Sequence, residues 1–111
     1  MRNKYKSAGL DYDMILKKFR NIDEYEEIAN VYLSDEFFAQ LEDMLDSEDY
    51  GMAKDAVKGL YLLAQELYMF PLYESLLEIY EDLQYETYGE IMSHYRDMYN
   101  VYLRTRGIFH V

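Results

Sequence analysis

Two histidines, twenty-two carboxylates and no cysteine set the chemistry open to this chain of 111 residues. Without cysteine there is no disulfide, no thiolate nucleophile and no Cys-based zinc site. His94 sits beside Tyr95 and Arg96, with Glu90 one helical turn earlier, and His110 is the residue before the last position. Di-iron bundles place Glu-x-x-His pairs on two helices. The residue three before His94 is Ile91, so that pair is missing. No Gly-rich phosphate loop and no nucleophile elbow occurs. The carboxylates fall mostly on polar helix faces, where they serve solvation. The expectation is therefore no catalytic residue, no metal site and no cofactor. His94 and His110 read as surface residues.

One run has a different character: Ala53-Lys54-Asp55-Ala56-Val57-Lys58-Gly59-Leu60. On a helix, at about 100° per residue, Asp55, Lys58, Gly59, Leu62, Glu66 and Met69 share one face. Ala53, Val57, Leu60, Ala64 and Leu67 lie nearly opposite and form an inward stripe. Gly59 in a helix interior costs about 1 kcal/mol relative to alanine. Close approach of another chain is one reason to keep it, and close packing within the fold is another. Asp55 and Lys58 also have the spacing of a simple surface ion pair, worth a few tenths of a kcal/mol. Leu62 and Met69 add apolar surface to the outward face, as a small docking patch or as cover for the helix that follows.

The elements that must hold this run are all helical. Half of the residues are hydrophobic, with five Gly and one Pro. Residues 1–10 read as a flexible lead-in. Asp11 is an N-cap for a short helix through Arg20, with Leu10 and Ile15 as its hydrophobic staple. Asn21 and Glu24 cap a long helix from about Ile22 to Asp46, which Ser34-Asp35 bends without ending. A third helix covers about Asp49 to Met69, and Pro71 separates it from a fourth that carries Leu72, Leu76, Ile79, Tyr80 and Leu83. Thr87 and Glu90 make a second capping box for a helix from about Tyr88 to Arg106. Gly107 stops it, and residues 107–111 form a tail. Short connections between long helices imply antiparallel neighbours. The predicted fold is all-α: an antiparallel up-and-down four-helix bundle with a short additional N-terminal helix, spanning 11–106. Fourteen tyrosines suit such a bundle, with rings inside and hydroxyls reaching water.

A net charge of −11 leaves no basic footprint for nucleic acid or an anionic membrane. The first ten residues lack the apolar core of a signal peptide, and no run approaches the ~20 apolar residues of a membrane span. A cytoplasmic protein that binds other proteins is expected.

The run around Asp55 resembles the signature of histidine-phosphotransfer (HPt) domains, His-x-(Leu or similar)-Lys-Gly. Val57, Lys58 and Gly59 match it, and Asp55 stands where the family has its phosphoryl-accepting histidine. Ile22-Asp23-Glu24-Tyr25-Glu26-Glu27 is similar to the family's opening, and Leu41-Glu42-Asp43-Met44-Leu45 to the approach to its active helix. The segment from Leu76 to Leu83 is similar to the helix after it. The resemblance covers about residues 10–105, and Gln65 departs from a position the family usually gives to a small residue. An aspartate would form an acyl phosphate rather than a phosphoramidate, which needs a divalent cation and an acidic pocket. The resemblance thus implies a non-catalytic adaptor in two-component signalling, with Asp55, Lys58, Gly59, Leu62 and Glu66 as its binding face. The implied partner is a response-regulator receiver domain or a histidine-kinase assembly. The alternative is a structural helical bundle outside phosphorelay, self-associating as a homodimer.

Overall fold

The computed structural model describes residues 2–109, with side chains from Lys4 onward. These residues form α1 (Arg2–Ser7), α2 (Tyr12–Lys18), α3 (Ile22–Leu33), α4 (Phe37–Asp46), α5 (Tyr50–Glu66) and α6 (Phe70–Gln84). A 3-10 turn (Tyr88–Glu90) then leads into α7 (Ile91–Phe109). No strand occurs among them, and none of the helices is long and apolar enough to cross a membrane. Helix α5 packs chiefly on α6, and α6 on α7; α4 touches both α5 and α7, and α3 lies against α7.

Helix starts follow their side-chain caps. Asp11 accepts from the Met14 N–H at 3.1 Å, Asn21 from Asp23 at 2.8 Å, and Asp49 from Met52 at 3.4 Å. Leu10 and Ile15 are both buried, as the staple requires. The Thr87 capping box does not form. Thr87 makes no side-chain cap, and its Oγ1 donates instead to Asp82 Oδ1 at 3.1 Å.

The expected long helix over 22–46 is two helices. The Ser34 N–H still bonds the Asn30 carbonyl, and Asp35 closes a tighter turn to Tyr32 at 3.1 Å. The Asp35 carboxylate then takes the Phe37 N–H at 2.9 Å and opens α4. Ser34-Asp35 thus ends one helix and starts the next, because the short acceptor competes with the ladder.

Helix ends are built with little glycine. Before α2, α5, α6 and the 3-10 turn the chain passes through the left-handed region, at Gly9 (φ 76°), Glu48 (58°), Tyr68 (56°) and Glu86 (56°). At Tyr68 the closing bonds run Met69 N–H to Ala64 O (2.9 Å) and Tyr68 N–H to Gln65 O (3.1 Å), the Schellman pattern. The turn at Glu48 closes α4 in the same way, with Asp49 N–H to Met44 O (2.9 Å) and Glu48 N–H to Leu45 O (3.1 Å).

Both ends of the described segment are tied in. The expected flexible lead-in is helical, and Tyr5 is fully buried. Its ring contacts Tyr12, Tyr25 and Phe109, at centroid distances of 5.2, 6.2 and 5.8 Å. Its hydroxyl donates to Glu26 at 2.5 Å, where Lys4 also pairs at 2.7 Å. Gly9 lies so close to Pro71 that a Cβ would stand 2.8 Å from the proline ring. Likewise, α7 runs through Gly107 to Phe109 and has no tail before that point. His110 lies outside the described residues.

The tyrosine hydroxyls do not simply reach water. Tyr25 donates to the Leu67 carbonyl (2.7 Å), Tyr32 to Leu60 (2.6 Å) and Tyr95 to Phe38 (3.1 Å), while Tyr102 bonds Leu33. Leu33 and Leu67 stand at helix C-termini, where carbonyls lack helical partners. Among the described residues every buried side-chain N or O atom is bonded.

Candidate protein-docking site

Helix α5 carries two apolar ridges. Ala53, Val57, Leu60 and Ala64 are buried in the core, as their spacing predicts. Met52, Ala56, Gly59 and Leu63 repeat the same four-three-four spacing one residue earlier. That second ridge is open: Met52 is 55% and Leu63 49% exposed. It forms one wall of a groove of about 540 Å³, with Phe37 and Met44 of α4 on the other side and Asp35 and Asp55 at its edge. Phe37 is itself 46% exposed. Asp35 and Leu63 also border a second hollow against α3, lined by Glu27, Ile28, Val31 and Tyr32. The two hollows make one apolar strip across α3, α4 and α5, and Val31 is its most exposed large apolar side chain at 70%.

Gly59 lies on the floor of this strip. A Cβ built there would meet nothing within 4 Å. Intramolecular packing therefore does not require the glycine, which leaves a helix interior weakened by about 1 kcal/mol with open space above it.

The predicted binding residues are only partly together. Asp55, Lys58, Gly59, Leu62 and Glu66 are all exposed. Asp55 and Gly59 line the groove. Lys58 and Leu62 lie beyond Asp55, on the side of α5 away from the groove, by the helical turn of about 100° per residue. No ion pair joins Asp55 to Lys58 among the described residues. Glu66 is engaged elsewhere, by Lys18 of α2 at 2.6 Å. Met69, expected on this face, is fully buried because the turn at Tyr68 redirects it into the start of α6.

A second cluster joins α6 to α7. His94 Nδ1 bonds Asp82 Oδ2, and Nε2 lies 3.2 Å from Glu78 Oε1. Asp82 is buried and also accepts from Thr87. Both ring nitrogens thus face carboxylates, an arrangement the imidazolium satisfies by donating twice. The hydrogen bond to Asp82, with the charges of Asp82, Glu78 and Glu90, raises the His94 pKa despite partial burial. His94 is therefore an interhelical clasp rather than a plain surface residue. Glu26 is a parallel case near α1. Burial raises its pKa, but the bonds from Lys4 and Tyr5 prevail and lower it.

To the predicted binding face the strip adds Met52, Ala56, Leu63, Phe37, Ile28 and Val31. The four-three-four repeat at 52, 56, 59 and 63 is the signal for four of the strip's residues. It is faint because alanine and glycine form its middle. Comparison with family models, with characterised proteins and with solved structures gives no match.

Proposed function

We propose that this chain is a non-catalytic, cytoplasmic protein-interaction adaptor that docks a partner on the open ridge of α5. Its fold is read as an up-and-down four-helix arrangement, in which α3 and α4 together fill the place of one helix. The observation that carries this reading is Gly59. It sits in the middle of a helix at a cost to stability, nothing in the fold occupies the space its missing side chain leaves, and exposed apolar residues flank it.

The resemblance of Val57-Lys58-Gly59 to the HPt signature suggests a receiver domain or kinase assembly as the partner. Asp55 then stands as a fixed negative charge in the place of a phosphohistidine, and the complex forms without phosphoryl exchange. The test is binding of purified receiver domains from the native cell to wild type and to Gly59→Arg. The expected result is binding by wild type that Gly59→Arg abolishes. Binding by neither protein removes the two-component assignment. Equal binding by both moves the docking surface away from α5.

A further inference from the structure

We infer that the strip across α3, α4 and α5 receives an amphipathic helix of a partner protein, with Lys or Arg flanking its apolar face. The inference rests on the docking reading above and names the element the partner presents.

Shape comes first. The ridge from Met52 to Leu63 spans eleven residue steps, about 16 Å at 1.5 Å per residue. That length matches three turns of a docked helix. A helix seats its own ridge in a groove when the floor is low, and Ala56 and Gly59 supply a low floor. Phe37 and Met52 stand at the rim, and Met44 and Met52 are unbranched side chains that adapt to a guest. A β-strand would need an unpaired sheet edge, and the described residues hold no strand.

Charge then selects among helices. The residues lining the two hollows include Glu27, Asp35 and Asp55 and no lysine or arginine. The whole chain carries a formal charge of −11. An acidic rim around an apolar floor complements a helix that is apolar on one side and basic along its flanks. The same rim repels an anionic membrane surface. It also opposes a second copy of this chain, which would bring its own acids to the same edge.

The test titrates the full chain against two labelled 14-residue peptides with leucines at helical spacing, one with lysines between them and one with glutamates. Wild type is expected to bind the Leu/Lys peptide in the micromolar range and the Leu/Glu peptide not at all. The decisive variant is Leu63→Glu, at a half-exposed position where the fold tolerates a charge. It makes the protein more acidic yet spoils the apolar ridge, and a loss of roughly tenfold or more is expected. Asp35→Asn with Asp55→Asn is expected to weaken binding about threefold at low salt and less at high salt. Equal or tighter binding by Leu63→Glu would show general charge attraction and overturn the inference. A wild-type dimer that Leu63→Glu dissociates would overturn it too, by making a second copy the occupant. If the Leu/Lys peptide fails while Gly59→Arg still abolishes capture of the natural partner, the basic helix falls and the docking reading stands. If Gly59→Arg leaves that capture unchanged, both fall.

Discussion

The end of the molecule where α1 meets α7 and the face formed by α3, α4 and α5 treat apolar surface in opposite ways. At the first, Tyr5 and Tyr25 pack edge to face with Phe109, and the Tyr5 and Tyr25 hydroxyls have acceptors. At the second, Phe37, Met52, Leu63 and Val31 lie open around a glycine with nothing above it. The same chain thus joins α1 to α7 with aromatic rings and leaves a continuous apolar strip uncovered. Stability belongs to the closed end, and the proposed recognition to the open face.

Substitutions at the closed end should have the largest effect. Tyr5→Ala removes a fully buried ring and is expected to destabilise the fold by about 3–4 kcal/mol in urea unfolding. A loss below about 1 kcal/mol would mean that α1 is dispensable and the contrast is overstated.

The clasp between α6 and α7 comes next. His94→Ala is expected to cost about 1.5–3 kcal/mol in mildly acid solution, the range for charge-assisted hydrogen bonds. The folded pKa of His94 is raised, so its contribution is fully present below the unfolded value of 6.5. It fades as pH rises through the higher folded value. The gap between wild type and variant in thermal melts should therefore narrow on the alkaline side. A gap independent of pH would show that the imidazole acts by packing alone.

Gly59→Ala sharpens the comparison from the open face. No atom meets the added methyl, so stability should rise by about 0.5–1 kcal/mol, while docking weakens. A stabilised variant that binds its partner normally would separate the glycine from recognition. The smallest effect is expected at Glu48→Gly. Relief of a left-handed conformation at an exposed helix end should stabilise by roughly 0.5 kcal/mol and leave binding unchanged.

The parts legible in the sequence are those written in local spacing. The inward stripe of α5 and the caps at Asp11 and Asn21 depend on residues within a turn of each other, and they form as read. The turns at Glu48, Tyr68 and Glu86 lack the glycine that marks such positions, so the register of Met69 was misplaced. The burial of Tyr5 depends on Tyr25 and on Phe109, at the far end of the chain, and no local pattern announces it. The break at Ser34-Asp35 is a contest between two local hydrogen-bonding patterns, and the Asp35 cap on Phe37 decides it. Of the residues that line the open groove, Asp55 and Gly59 were legible in the sequence, and Met52, Ala56 and Leu63 were not.

The most direct test of the central claim is quantitative capture from native lysate on three paired baits: wild type, Gly59→Arg and Gly107→Arg. Both glycines are helical and open to solvent, so both variants should fold. The expected result is a partner retained by wild type and by Gly107→Arg and lost by Gly59→Arg alone. Retention of the same partner by all three baits would contradict it.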